Sequence, residues 1–331
     1  MRDAPPSPPT ETVLLAGFDA GQTHTTCRLA TADGTPLAEG TGPGVGHLAS
    51  LDGPKRFQEA LRDSLVRARA HGVDQGRPQG VWPLAAAAIG ASGIEHGSAV
   101  QQEGLRLAMD TLGLPAERLR VTGDERTALA GAVPQGEGIV VISGTGTIAV
   151  GRDGAGRQHR CAGWGWLLDG AGSAMDIGRD ALSLSLRMAD GRHADDPLRR
   201  ALWTALDVAV DDPSSPQRIK ARVVAPGFGP AGFAALAPVV EDQAASGNAL
   251  ALALLQHHGE ALVEMVVAVA TSLDLGTPTV CTLGGAITHL GCFRQAFGTA
   301  LARALPGGRW RAPAGDGCAG ALAMAAAIRR G

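Results

Sequence analysis

Asp19-Ala20-Gly21-Gln22-Thr23 and Ser143-Gly144-Thr145-Gly146-Thr147 are short turns of small residues, far apart in the chain. The apolar runs Val13–Phe18 and Cys27–Thr31 flank the first; Ile139–Ile142 and Ile148–Val150 flank the second. Each therefore reads as a hairpin. Backbone this bare exposes N–H groups and threonine hydroxyls, and a phosphate is the guest they suit. Two such turns, in two halves of one chain, imply a nucleotide held from both sides. A triphosphate brings a divalent cation, and Mg²⁺ takes carboxylates together with its retained waters. Asp19, beside the first turn, is placed for that, although an Asx turn would use the same residue. Asp124 follows an expected strand and precedes the helical run Thr127–Ala132. It can accept the proton of an attacking hydroxyl, or cap that helix. Thr23 and Thr145 would give hydroxyls to phosphate oxygens, or serve as ordinary strand-edge threonines.

The elements that must hold these residues follow from periodicity. Strands are expected at 12–19, 26–31 and 36–41, then an amphipathic helix over Arg56–His71 with Phe57, Ala60, Leu61, Ser64, Leu65 and Ala68 on one face. Leu84–Ile89 reads as a strand running into Gly90-Ala91-Ser92-Gly93, Ser98 as the cap of a helix ending at Leu112, and Leu119–Thr122 as a strand. From Gly138 the scheme restarts, with a period of about 125 residues that suits a duplicated domain. Helices are expected at Ala174–Ala189, Ala231–Ala245 and Ala249–Leu275, a buried strand at Thr279–Leu283, and a last helix, Ala319–Arg329, packing back on the first half. The expected division is a disordered tail at 1–11, a first domain at 12–133 with helix 319–329, and a second at 134–318. The cleft between two domains is where small molecules tend to bind.

Composition narrows the chemistry. A chain of 331 residues, 45% hydrophobic, has material for two cores, and its net charge of −3 argues against a nucleic-acid or membrane partner. Lysine occurs only at Lys55 and Lys220, so there is no G-x-x-x-x-G-K-S/T loop and no Schiff-base setting. Five cysteines without a C-x-x-C read as buried reduced thiols. The apolar stretch 249–275 is broken by polar residues and reads as a buried helix, and the 1–11 tail has no apolar signal region. A cytoplasmic location is expected, and a homodimer is left open. Gly144-Thr145-Gly146-Thr147-Ile148-Ala149 also matches G-x-G-x-x-A, but that dinucleotide motif needs a helix to follow, where a strand is expected. His257-His258 has no acids at metal spacing and reads as structural. Trp164 and Trp166 flank Gly165, and either indole suits a sugar site or a core.

DAGQT (19–23), TGDERTALAGA (122–132), GIVVISGTGTIAVG (138–151), CAGWGWLLDGAGS (161–173) and LGGAI (283–287) together resemble the BadF/BadG-type ATPase and N-acetylglucosamine kinase family, over 12 to about 326. That family belongs to the superfamily of actin-like, sugar-kinase and heat-shock-chaperone ATPases. The resemblance implies an α/β fold of two RNase H-like domains, ATP and Mg²⁺ in the cleft between them, and phosphoryl transfer to a sugar hydroxyl. It puts the base at Asp124, the metal at Asp19, and ATP at Gly21, Gln22, Thr23, Gly144, Thr145 and Gly146, with adenosine at Gly284 and Gly285. The sugar falls to Ser92, Gly93, Thr145, Trp164, Gly165 and Asp169.

Three departures stand out. The family's sugar-binding Asn is missing, since Gly44-Val45-Gly46-His47 fills its loop and Asn248 is the only Asn in the chain. The loop after GWG reads Asp169-Gly170-Ala171-Gly172-Ser173 where G-D-E-G-S is usual, and the first turn reads DAGQT for DGGGT. Altered polar contacts imply altered specificity. The expected activity is an ATP-dependent kinase of an amino sugar: N-acetylglucosamine or glucosamine first, then a muramic relative. The alternatives are an activator ATPase with an iron–sulfur cluster, which lacks its C-x-x-G-T-G cysteine here, and a non-catalytic sensor.

Overall fold

Leu14–Ala20 (β1) is a near-continuous apolar run, and all but Asp19 of its residues are buried, as a strand covered on both faces requires. The computed structural model describes residues 13–74 and 83–330; the tail expected at 1–11 lies outside the described residues. β1 pairs antiparallel with His24–Thr31 (β2), which pairs antiparallel with Pro36–Pro43 (β3). Gly53–Asp74 (α1) then crosses to Leu84–Ala91 (β4), and Ala99–Leu112 (α2) to Leu119–Gly123 (β5); both strands run parallel to β1. Ser98 caps α2 by accepting from the Gln101 N–H, and Gly113 closes it at φ 66°. Asp124–Ala132 (α3) follows β5 without a break.

The second unit repeats this plan. Gly138–Ser143 (β6), Thr147–Arg152 (β7) and Gln158–Ala162 (β8) form an antiparallel meander. Then come Ala174–Ala189 (α4), Pro197–Ala205 (α5), Ser215–Val223 (α6), Gly229–Ala234 (α7), Ala237–Ala245 (α8) and Ala249–Ser272 (α9). Thr279–Leu283 (β9) pairs parallel with β6; Gly285–His289 (α10) and Gly291–Ala304 (α11) follow, and Arg309–Arg311 (β10) pairs parallel with β9. Strand order is β3-β2-β1-β4-β5 in one sheet and β8-β7-β6-β9-β10 in the other, so the two correspond strand for strand.

Gly317–Arg330 (α12) belongs to the first unit. The chain divides into the described parts of Met1–Pro134 with Ala314–Gly331, and Gln135–Pro313, so the return begins ahead of the expected 319. Leu14, Ala16 and Phe18 face a core shared with Phe57, Leu61 and Leu107 of α1 and α2. Leu15 faces the other way, into a layer of Ala86, Ala88, Ala321, Leu322 and Ala325. That layer is thin because α12 lies close: a Cβ on Gly17 would stand 2.7 Å from the Leu322 nitrogen.

The expected helix 231–245 is two helices, because Pro238 has no N–H to continue the ladder and its ring crowds the Ala234 carbonyl. α5, α6, α11, β8 and β10 are not among the elements expected from the sequence. Cys27, Cys281 and Cys318 are buried as expected, but Cys161 and Cys292 are only partly so, and all five are free thiols. α9 is the one helix among the described residues long and apolar enough to cross a membrane. Its Leu255, Leu262, Val266 and Val269 are buried in the second unit's core with Trp203 and Phe297.

Candidate functional site

In the first unit, three parallel strands β1, β4 and β5 end side by side, and their carboxyl ends carry Asp19-Ala20, Ala91-Ser92-Gly93 and Gly123-Asp124. Two strand spacings put β1 and β5 about 10 Å apart, with β4 between them, and Asp124 stands two residues beyond the level of Asp19. Such ends are where open α/β sheets bind ligands. The Gly21 turn is closed by its own N–H donating to the His24 carbonyl, 3.0 Å. Ser92 N–H donates to the Ala20 carbonyl, 2.9 Å, and Val45 N–H to the Gly21 carbonyl, 3.0 Å, so the loops after β3 and β4 both lean on this turn. Thr23 Oγ1 lies 3.1 Å from His24 Nδ1.

Asp124 is the first residue of α3, not its cap; Gly123 holds the cap position and no side chain caps the helix. Burial lifts its carboxyl to about 7, with the charges of Glu125 and then Asp19 adding to the effect. Burial, then Asp316, also raises Asp19, against the pull of His24 and Arg28. Gly317, which opens α12, is pressed on this acid: a Cβ there would stand 2.6 Å from Asp19 Oδ2. Asp316 is held by a two-pronged bond from Arg28, 2.8 and 2.7 Å, and accepts the Ala319 N–H at 2.8 Å. Arg28 keeps the Asp316 carboxyl below the usual range. Neither Asp316 nor Glu125 is singled out by the sequence reading. Asp316 did carry a signal, an acid three residues before a helical N–H.

The second unit assembles its own constellation. The turn after β6 is closed by Gly144 N–H donating to the Gly146 carbonyl, 3.0 Å. β7 follows at once, which removes the helix a dinucleotide fingerprint needs. The loop before α4 grips the turn: Ser143 Oγ donates to the Gly172 carbonyl at 2.6 Å, Thr147 Oγ1 to the Ala171 carbonyl at 3.2 Å, and Ala174 N–H to the Gly144 carbonyl at 2.8 Å. That loop hangs on His258, whose Nδ1 accepts the Gly172 N–H at 3.1 Å. Burial pushes this imidazole down to about 4, although Asp180, 3.5 Å from Nε2, pulls the other way. Gly284, at φ 98°, lies against the Ser143 backbone, where any Cβ would collide with the Ser143 carbonyl oxygen. Only glycine suits that junction, and it sets Gly284-Gly285 beside the turn.

Among the described residues, nothing accepts the N–H groups of Gln22, Thr23, Thr145 or Gly146. Free donors in each turn suit anionic oxygens. No group of three His, Cys, Asp or Glu side chains among the described residues could hold a metal alone. That is compatible with Mg²⁺, which binds through one or two carboxylates and substrate phosphates. Trp164 and Trp166 are exposed, which removes the core reading for either; the Arg160 guanidinium lies 4.7 Å over the Trp164 ring. Gly165 and Asp169 are tied by the Asp169 N–H donating to the Gly165 carbonyl, 2.9 Å. Thus Asp19, Gly21, Gln22, Thr23, Ser92, Gly93 and Asp124 belong to the first unit, and Gly144, Thr145, Gly146, Trp164, Gly165, Asp169, Gly284 and Gly285 to the second.

Comparison with known proteins agrees with this plan. Over 183 residues the chain is 29% identical to an N-acetylmuramic acid/N-acetylglucosamine kinase of Clostridium acetobutylicum, spanning 54% of this chain and about half, 55%, of that protein's length. Over 276 residues it is 25% identical to an N-acetyl-D-glucosamine kinase of Dictyostelium discoideum, covering 79% of this chain and 81% of that one. A crystal structure from Chromobacterium violaceum, provisionally assigned as an N-acetylglucosamine kinase, matches with a TM-score of 0.74 at 28% identity over 96% of this chain and all of that one. A ROK family glucokinase from Streptomyces griseus, solved with glucose and AMPPNP, shares the fold at a TM-score of 0.57 and 17% identity, over 96% of this chain and 100% of its own. The model of the BadF/BadG/BcrA/BcrD ATPase family matches residues 16–325, a span that holds both turns and both acids, and the chain belongs to that family.

Proposed function

We propose that this chain is a cytoplasmic ATP-dependent kinase that phosphorylates a hydroxyl of an amino sugar, in the class of its relatives' N-acetylglucosamine and N-acetylmuramic acid. The observation that carries the reading is the acid pair at the strand ends: Asp124, with its carboxyl lifted to about 7 by burial, and Asp19 one strand away from β4 on the other side. A base poised near 7 is suited to take a proton from a sugar hydroxyl. As that oxygen bonds to the γ-phosphorus of ATP and the bond to ADP breaks, the proton passes to the Asp124 carboxylate. Asp19 would hold Mg²⁺ through its waters, and the ion would neutralise phosphate charge. Gln22, Thr23, Thr145 and Gly146 offer their free N–H groups to the phosphates; Gly284-Gly285 leaves bare backbone for the nucleoside. Ser92, Gly93, Trp164, Gly165 and Asp169 serve the sugar.

The activator reading is disfavoured by the sequence, where no cysteine precedes the Gly-Thr turn of the second half as C-x-x-G-T-G. The test is ADP release from ATP and Mg²⁺ with N-acetylglucosamine, glucosamine or N-acetylmuramic acid, each against no sugar. Sugar-dependent release supports the kinase. Equal release in every tube, or none, would discard it.

A further inference from the structure

We propose that Arg56, seated over the loop Gly44-Val45-Gly46-His47, reads a carboxylate on the acceptor sugar, so that an acid-bearing amino sugar is the preferred substrate. The inference rests on the kinase reading above and deepens it.

The loop belongs to the first unit's site. Val45 N–H donates to the Gly21 carbonyl at 3.0 Å, and Gly44 lies so close to the Gln22 carbonyl that no side chain fits between them. Further along, His47 faces the turn after β4: its Nδ1 lies 3.2 Å from where a Cβ on Gly93 would stand. One loop therefore touches both the first phosphate turn and the Ser92-Gly93 turn.

Between these contacts Gly46 turns the chain at φ 64°, a conformation that favours glycine. The space a side chain would have taken is filled by Arg56 from α1. Its Nη1 is 3.0 Å and its Cζ 3.1 Å from the position of a Cβ on Gly46. The guanidinium thus lies against the loop at Gly46. Among the described residues no carboxylate or carbonyl accepts from that guanidinium, and the residue is exposed. Arg28, Arg106, Arg192 and Arg199, by contrast, each fork onto a carboxylate. Arg56 stands in the first turn of α1, and its backbone N–H donates to the carbonyl of Asp52, 3.0 Å, just before the helix. An anion above Gly46 would satisfy the unpaired fork.

A planar fork of N–H donors matches a carboxylate two-to-two, which a neutral hydroxyl cannot do. The loop's contacts with Gly93 put this fork on the acceptor's side of the unit. It supplies recognition that glycine at 46 cannot, and it would read a charge where an amide side chain reads a hydroxyl or acetamide.

The test compares kcat/KM for N-acetylmuramic acid, its neutral methyl ester and N-acetylglucosamine in wild type, Arg56→Ala and Arg56→Lys. Wild type should prefer the free acid to its ester. Arg56→Ala should lose about 10- to 100-fold on the acid, the usual size of a charge-assisted contact, and stay within about twofold on the two neutral sugars. Arg56→Lys should recover part of the loss, since the charge remains but the fork does not. The KM for ATP should not move. An equal loss on all three sugars, or a raised KM for ATP, would make Arg56 a phosphate or structural contact and overturn the proposal. Turnover of N-acetylglucosamine with none of the acid overturns it too, leaving the kinase reading intact; no turnover of any sugar removes the kinase reading itself.

Discussion

Asp124 is held where its charge is costly. Burial raises its carboxyl from 3.8 to about 7, so the folded chain keeps a proton that the unfolded chain gives up near 4. Its contribution to stability is therefore full below the unfolded value and is lost as pH rises through about 7. The same rise fills the base form, so catalysis gains what folding loses. Asp124→Asn should lower kcat by about 10²–10⁴-fold with the KM for ATP unchanged. In the absence of ligands it should also raise the thermal midpoint at pH 8, with the two proteins converging below pH 4. A variant that turns over at the wild-type rate ends the base assignment; one no more stable than wild type at pH 8 ends the electrostatic account. The strand-end positions of Asp19 and Asp124 were legible in the sequence because their signal is local: an acid at the end of an apolar run, among glycines. Arg56 was not, because an arginine on an amphipathic helix is unremarked until the fold lays it over Gly46.

Elements place these groups through a few buried polar contacts. The loop 170–173 carries two of the bonds that hold the second Gly-Thr turn, Ala174 at the start of α4 gives a third, and His258 carries the loop. A neutral imidazole is needed, since Nδ1 must accept; burial keeps it neutral down to about 4. Because the unfolded histidine protonates near 6.5, this contribution is present above that pH and is lost as pH falls toward 4. His258→Ala leaves the Gly172 N–H buried without an acceptor, and urea unfolding should show a loss of about 1–3 kcal/mol. The KM for ATP should rise with it. His258→Asn, whose side-chain oxygen can stand near the Nδ1 position, should recover part of both; if it recovers neither, the bond to Gly172 is not what His258 contributes. The sequence pattern marked α4, α9, β6, β7 and β9 because their apolar spacing is sustained, and passed over β8, whose Gln158, His159 and Arg160 break it. It missed α5, α6 and α11, and it ran α7 into α8 although Pro238 stood at the break. Its reading of His258 as structural had no way to show the partner, which lies 86 residues away.

At the scale of the whole molecule, one sheet order is used twice, and the repeat was legible because both Gly-Thr hairpins stand at the same place in it. β10 was not, being three exposed residues that depend on β9 for their pairing. Each unit has its own core, and the first is finished only when the chain returns as α12. Leu322 is the large buried side chain of that return, 6% exposed, in a layer otherwise built mainly of alanine, with Met324 and Ile328 at its edge, and set against Gly17. Alanine layers leave little else to fill the space, so truncation there should not be absorbed by neighbours. Leu322→Ala removes transfer energy and leaves a void, an effect of about 2–5 kcal/mol at such sites. Hydrogen exchange read peptide by peptide separates this loss from a general one. Exchange should speed up in β1, β4 and α12, whose contacts run through the alanine layer, and stay at the wild-type rate in α9, which belongs to the other core. Equal acceleration in α9 would show that the two cores open together, and that α12 closes the whole chain instead of one unit.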